Sequence, residues 1–358
     1  MKHRIAALRG LIAGRRAGGY VSLDPPVNAY LTGFHGSASA VVVTPRAAAL
    51  LCDFRYTEQA KAQAKGCRVC EVSGDLETAA GAFLAEAGCA SALFEPDRLS
   101  VSAHGRVRKA FAGGRLRAAP GFTDPLRAVK DAEEVARMRR ATEIAEAALA
   151  TAFRRLKEGV TEREVAALLE HEFRKRGAQK ASFDTTVLFG AHSSLPHGKP
   201  GDAPLKRGDI VLVDCGCIVD GYCSDLTRTA VFGSIPGAWF EDIYACVLEA
   251  QLAGLAAVRP GAGAAAVDRA CRDMIARAGY GPRFGHGTGH GVGLEIHEFP
   301  RLNQHSATVL APGMAVTVEP GIYLPGRGGV RIEDLVVVTP DGCDVLNKLP
   351  KELQVIRP

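Results

Sequence analysis

With 358 residues, 47% of them hydrophobic and 23% charged, the chain has the composition of a soluble globular protein long enough for two separate cores. Lys and Arg outnumber Asp and Glu by only 44 to 39, and no long basic run concentrates the excess, which sets nucleic acid aside as a partner. No stretch nears the roughly 18 uninterrupted apolar residues of a membrane span, and ten cysteines scattered over this length do not read as a disulfide framework, so a soluble, reduced, cytoplasmic protein is expected.

The N-terminal segment carries Lys2, Arg4, Arg9, Arg15 and Arg16 with no acidic residue before Asp24, a pattern shared with transit peptides. Ile5, Leu8, Leu11 and Ile12 instead make one apolar helical face, and Arg9 interrupts any signal-type apolar core. Tyr20 to Leu23 and Ala40 to Thr44 follow as short strands, and Ala47 to Cys52, after a Thr-Pro-Arg turn, completes a hairpin. Thr57 to Ala64 is predicted helical, and strand and helix signals alternate on to about Leu116, the pattern of a small α/β domain. Cys67 and Cys70 form one CxxC with no second pair, which reads as ordinary reduced thiols. Pro120, Gly121 and Pro125 mark a boundary and divide the chain into residues 1–124 and 125–358.

Beyond it, Asp131 to Leu156 is a long amphipathic helix. A second helix runs from Thr161 to Arg176, with Thr161 and Glu164 forming a capping box and Gly177 stopping it. This region is then repeated. Gly159, Val165, Phe173 and Gly177 have counterparts 102 residues on, at Gly261, Val267, Ile275 and Gly279. The segment Leu205 to Asp214 resembles Leu310 to Glu319 at an offset of 105, each a turn glycine, an apolar strand and then a carboxylate. Two pseudo-symmetric halves would bring these carboxylates together from opposite sides of one cleft.

Four carboxylates stand out. Asp214 ends the apolar strand Ile210 to Val213, Asp225 lies eleven residues on, Glu319 ends the matching strand, and Glu333 sits inside the apolar strand Val330 to Val338. A carboxylate in such a place is costly to bury unless it is paired or holds a metal. Hard oxygen ligands suit Mg²⁺, Mn²⁺, Co²⁺ or Zn²⁺. Four are too much charge for one catalytic ion and suit two ions roughly 3.5–4 Å apart that share a water. The glycine-rich segment Gly285 to Glu298 adds His286, His290 and His297, three of the ten histidines within twelve residues. His197, in Leu195-Pro196-His197-Gly198, is an ordinary loop histidine when taken alone. Cys215, Cys217 and Cys223 near the carboxylates read as small buried residues, not as ligands.

Together these motifs resemble the pita-bread metallopeptidases: aminopeptidase P, Xaa-Pro dipeptidase, methionine aminopeptidase and the related creatinase. The resemblance covers about Arg127 to Pro358 and rests on Leu195 to Gly198, Val213-Asp214, Ser224 to Thr229, His286 to Glu298, Glu319 to Tyr323 and Arg331 to Asp334. Residues Asn28 to Ser37 and Asp53 to Tyr56 resemble, less specifically, the creatinase-type N-terminal domain of the proline-directed members. The resemblance implies a small α/β N-terminal domain followed by a pseudo-two-fold α+β catalytic domain. It implies two divalent ions, Mn²⁺ before Co²⁺ or Zn²⁺, held by Asp214, Asp225, His290, Glu319 and Glu333, with Asp225 and Glu333 bridging. Glu319 would also serve as general base. His197 and His297 would act on the substrate, His286 would lie on the substrate side, and Tyr323 and Arg331 would support the carboxylates or contact substrate. The implied activity is hydrolysis of the bond before proline in a peptide. Tyr30 to Ser37 and Asp53 to Tyr56 favour aminopeptidase P over prolidase, and a cytoplasmic homodimer is expected. Arg55 could reach substrate or a partner subunit, although a structural salt bridge is the simpler reading. A creatinase-like hydrolase without the full metal set, or a non-catalytic binding protein on the same fold, would lack ligands, and all five positions are filled by Asp, Glu or His.

Overall fold

The computed structural model describes residues 1–357 and divides into two compact units, Met1–Arg127 and a second beginning at Ala128. The first unit is built on one mixed sheet of six strands: β1 (Gly19–Ser22), β2 (Ala40–Val43), β3 (Ala48–Cys52), β4 (Arg68–Glu71), β5 (Ser91–Phe94) and β6 (Arg115–Ala118), in the order β4-β3-β2-β1-β5-β6. Strands β1, β2 and β3 pair antiparallel, with β2 and β3 forming the expected hairpin, while β4, β5 and β6 join in parallel. All four residues of β2 are buried, as for a strand covered on both faces. The covering helices are α1 (Lys2–Gly14), α2 (Pro25–Thr32), α3 (Thr57–Gln63), α4 (Leu76–Glu86) and α5 (Val101–Ala110), and α6 (Asp124–Ala128) follows at the end of the unit. Ile5, Leu8 and Ile12 are buried on α1, and its Arg4 donates to the Tyr30 carbonyl, so the basic N-terminus is folded structure. Arg55 makes a two-pronged bond to Asp53, the structural salt bridge. Cys67 and Cys70 are free thiols.

The second unit has two halves of matching plan. In the first, α7 (Ala132–Arg154) and α8 (Glu162–Lys175) pack on a four-stranded sheet. Both helices open with complete capping boxes, Asp131 with Glu134 and Thr161 with Glu164. The strands of this half are β7 (Lys180–Ala181), β8 (Thr186–Phe189), β9 (Ile210–Cys215), β10 (Cys217–Val219), β11 (Tyr222–Cys223) and β12 (Leu226–Phe232). Of these β8, β9 and β12 form the sheet, and the last strand of the chain, Val355–Ile356, joins its edge. In the second half, α9 (Ala238–Ala257) and α10 (Ala264–Arg277) pack on β13 (Gly289–Gly291), β14 (Glu298–Leu302), β15 (Ala315–Val318), β18 (Asp334–Val338) and β19 (Cys343–Val345). A separate ribbon, β16 (Gly321–Leu324) with β17 (Gly328–Arg331), precedes β18.

The repeat is physical. Helices α8 and α10 are each 14 residues long and start 102 residues apart. The four bracketing glycines, Gly159, Gly177, Gly261 and Gly279, all have positive φ, which only glycine adopts without strain. One expectation needs correction. Val330 to Val338 is not one strand: the chain leaves the ribbon after Arg331 and enters a different sheet at Asp334. Glu333 lies at that switch, where its N–H donates to the Thr227 carbonyl at 3.2 Å instead of to a ladder partner. Changing sheets there frees a buried carboxylate from the alternation of a continuous strand.

Candidate active site

The halves place their carboxylates by one rule. Asp214 is near the end of β9, and Asp225 comes just before β12, its antiparallel neighbour. Glu319 comes just after β15, and Glu333 just before β18, again its antiparallel neighbour. Each half thus offers a carboxylate where one strand leaves the sheet and another where the next strand enters. His290 joins from β13, beside β15. All five line one cavity of about 490 Å³. Ligand atoms of Asp225, His290 and Glu333 lie within 4.8 Å of one another.

The electrostatics of this group suit a cation. Burial, followed by the charges of Glu333, Asp214 and Glu319, pushes the Asp225 carboxyl well above its ordinary range. Burial and then Glu319 and Asp214 do the same to Glu333. Burial lifts Glu319 to about 7. Asp214 Oδ1 is buried with no hydrogen-bond partner. His290 makes the same point through its tautomer. Its Nδ1 faces the Gly291 carbonyl at 3.1 Å and must therefore donate, while burial and then His297 lower its pKa to about 3. The ring is neutral, and the Nε2 lone pair points at Glu319 Oε1, 3.3 Å away, and Asp225 Oδ2, 3.6 Å away. Once these carboxyls ionise, the lone pair faces anionic oxygens, a repulsion that a divalent ion between them would reverse. Four carboxylates and one imidazole fit two such ions.

Arg331 ties these side chains together. Its Nη2 donates to Asp214 Oδ2 at 2.6 Å, Nη1 to the Tyr323 hydroxyl at 2.8 Å and Nε to Thr227 Oγ1 at 3.0 Å. Thr227 in turn donates to Glu333 Oε2 at 2.7 Å, joining the two halves. Burial works against the guanidinium charge, but Tyr323, Asp214 and Glu319 outweigh it, so Arg331 stays charged. Tyr323, expected as a support or a substrate contact, is buried and is not among the side chains lining the cavity. Its role is internal: it receives from Arg331 and bonds His286 Nε2 at 3.0 Å. His286 Nδ1 faces the Gly287 carbonyl at 2.8 Å, so Nδ1 donates and Nε2 accepts from Tyr323. His286 lines the cavity with both ring nitrogens already engaged. His197 and His297 line the same cavity and are exposed; His297 stacks edge-on to His290, centroids 4.4 Å apart.

Sequence reasoning missed the groups behind this wall. Asp268, fully buried on α10, accepts from Thr288 N and Oγ1, both at 3.0 Å, and pairs with Arg272 through both of its oxygens. Arg272 donates onward to the Phe284 and His286 carbonyls. The signal was a polar residue on the face of α10 that Ala264, Val267, Cys271 and Ile275 bury. Cys215, Cys217 and Cys223 are buried thiols, pushed up first of all by desolvation, and none of them lines the cavity.

Residues 136–340 match the model of metallopeptidase family M24, and residues 4–129 that of the Creatinase/Prolidase N-terminal domain. The chain is 41% identical over 327 residues to an uncharacterized peptidase, YqhT, of Bacillus subtilis, covering 91% of this chain and 92% of that one. It is 47% identical to the Xaa-Pro dipeptidase of Pyrococcus furiosus over 228 residues, 64% of this chain and 65% of that one. Among solved structures, the Xaa-Pro dipeptidase from Bacillus anthracis superposes with a TM-score of 0.95 at 40% identity, covering 99% of both chains. The X-Pro aminopeptidase from Thermotoga maritima superposes at 0.91 and 34% identity, covering 99% of this chain and 100% of that one. These matches make the chain a member of metallopeptidase family M24, a pita-bread enzyme carrying a Creatinase/Prolidase N-terminal domain.

Proposed function

We propose that this enzyme hydrolyses the bond between an N-terminal residue and a following proline. The observation that carries the hydrolytic reading is the convergence of Asp214, Asp225, His290, Glu319 and Glu333 on one cavity, with the His290 lone pair aimed at carboxylate oxygens. The proline-directed part is supported by the relatives, which are named Xaa-Pro dipeptidase and X-Pro aminopeptidase. When bound, two divalent ions supply a nucleophile from water at neutral pH and polarise the scissile carbonyl. We propose manganese for them, with cobalt and zinc as alternatives that the same donor set accepts.

The chain's own residues do the rest. Arg331 and Thr227 hold Asp214 and Glu333 in place. Glu319 takes the proton of the attacking water on its carboxylate. His197 and His297, exposed to the cavity, donate to the carbonyl oxygen as it gains charge and to the departing nitrogen. A proline nitrogen carries no N–H, so the site must recognise a tertiary amide. A cytoplasmic homodimer completes the proposal.

Substrate length divides the reading. The N-terminal motifs favour aminopeptidase P. A prolidase reading draws on Arg301, a cation lining the cavity four residues after His297, which suits the free carboxylate of a dipeptide. Mn²⁺-supported cleavage of an Xaa-Pro dipeptide and a longer Xaa-Pro peptide, side by side, decides between them. Turnover of the longer peptide identifies aminopeptidase P activity, and turnover of the dipeptide alone a prolidase. Cleavage of neither, with Mn²⁺, Co²⁺ and Zn²⁺ each tried, removes proline specificity.

A further inference from the structure

We infer that Glu162, outside the cavity, is the positioning residue for His197. The inference rests on the reading that His197 meets substrate. His197 is exposed, and among the described residues its ring has no hydrogen bond. Its place is therefore set by the backbone that carries it. That backbone is the segment from Phe189 to Gly201, and one carboxylate grips both of its ends. Glu162 opens α8 and is fully buried. Its Oε1 accepts from Phe189 N at 2.7 Å, and its Oε2 accepts from Gly201 N at 2.7 Å. His192, inside the segment, adds a third point: its Nδ1 lies 2.8 and 2.9 Å from the two oxygens and donates to them. The carboxylate closes a loop of 13 residues on itself, and its charge sits favourably at the helix N-terminus.

Other bonds restrain the loop more loosely: Gly198 N donates to the Leu195 carbonyl at 3.0 Å, and the Pro200 and Gly201 carbonyls accept from Arg163 Nε and N at 3.3 and 3.2 Å. Ser193 Oγ accepts from Gly329 N, and the Pro196 carbonyl accepts weakly from Arg331 at 3.4 Å. Beyond His197 the loop is anchored at Gly201, where the bond to Glu162, 2.7 Å, is shorter than those from Arg163, the next residue of α8. The second half is built alike. There the buried carboxylate is Asp268, on the helix equivalent to α8, and with Arg272 it holds the backbone on both sides of His286. A buried carboxylate that accepts from two loop ends and a loop histidine does more than cap a helix.

The test is a double-mutant cycle in the full-length, Mn²⁺-loaded enzyme, reading kcat and KM on an Xaa-Pro dipeptide, or a longer Xaa-Pro peptide if that is the one cleaved, with bound metal measured in parallel. Glu162→Gln should lower kcat by about tenfold or more, because a small misplacement of a reacting group costs that much, while KM and metal content change little. In a His197→Ala background the same substitution should change kcat by less than about twofold, since the group it positions is gone. His192→Ala should show the same coupling, and His192→Asn, which keeps an N–H donor near the position of Nδ1, should restore most of the lost turnover. The histidine variants carry the test should Glu162→Gln fail to fold. Losses that multiply independently of His197 would overturn the inference while leaving the role of His197 intact. Full turnover in His197→Ala would overturn the reading of the site and this inference with it.

Discussion

Removing Glu319 should stabilise the metal-free protein at high pH and destabilise the metal-loaded one, an inversion that few substitutions could produce. Burial lifts the Glu319 carboxyl from 4.5 to about 7 in the fold. A carboxyl whose pKa is raised on folding contributes stability below 4.5, and loses it as pH rises through 7. The loss runs at about 1.4 kcal/mol per pH unit and totals about 3 kcal/mol by pH 8. In Glu319→Gln that loss disappears. Relief of the repulsion on Glu333, on which Glu319 exerts the strongest of the neighbouring charges, adds in the same direction. His286 and His290, lowered to about 4 and 3 chiefly by burial, act oppositely: their contribution rises with pH up to their ordinary 6.5. Both proteins share these histidines, so the difference between the two isolates the carboxylate. Urea unfolding in chelator at pH 5 and pH 8 can be followed by Trp239, the only tryptophan, which lies in the catalytic unit under the Arg327 guanidinium. The variant should gain about 2–3 kcal/mol on wild type between the two pH values, since part of the loss has already occurred by pH 5. With saturating Mn²⁺ the order should reverse, because the variant has lost an anionic ligand. A difference that does not change with pH in chelator would refute the account of a carboxylate cluster strained by its own charge.

Arg331→Lys should lower metal affinity by about 10- to 100-fold, since an ammonium cannot reach Asp214, Tyr323 and Thr227 at once; titration of the apoenzyme with Mn²⁺ reads it. His297→Ala should depress kcat with metal content unchanged, and loss of metal in this variant would mean that the histidine is a ligand. Gly289→Ala should cost both stability and metal, because its Cβ would fall 2.0 Å from the Thr317 carbonyl and push β13, with His290, off β15. Arg228→Met should cost about 3–5 kcal/mol in urea unfolding: Arg228 is buried, donates to Asp334 at 2.8 Å and also holds the carbonyls of Glu333 and Leu349.

What could be read along the chain was whatever the duplication wrote twice. Asp214 and Glu319 were visible because each follows a turn glycine and an apolar run, and the helices α8 and α10 because their bracketing glycines recur at a constant offset. The hairpin of β2 and β3 was equally local. The join of β1 to β5, whose residues lie about seventy positions apart, was not, because parallel pairing leaves no local mark. Glu333 was placed inside a strand because Val330 and Ile332 before it and Leu335 to Val338 after it are apolar, and nothing local announces that the chain changes sheets between them.

The supports of the site were hidden for a different reason. Thr227 lies within a quoted motif, yet its function comes from Glu333, 106 residues away. Glu162 reads as an ordinary first-turn acid of a capped helix, and only the fold brings Phe189, His192 and Gly201 to it. Side chains that can hold a divalent ion must be carboxylates or imidazoles whatever the surroundings, so residue type betrays them. The groups that hold those ligands need only donate or accept one bond in one direction, which many residues do in many places. A duplicated fold therefore shows its chemistry in the sequence twice over, while the geometry that makes this chemistry work is set by contacts between the copies, such as Thr227 to Glu333 and Arg331 to Asp214.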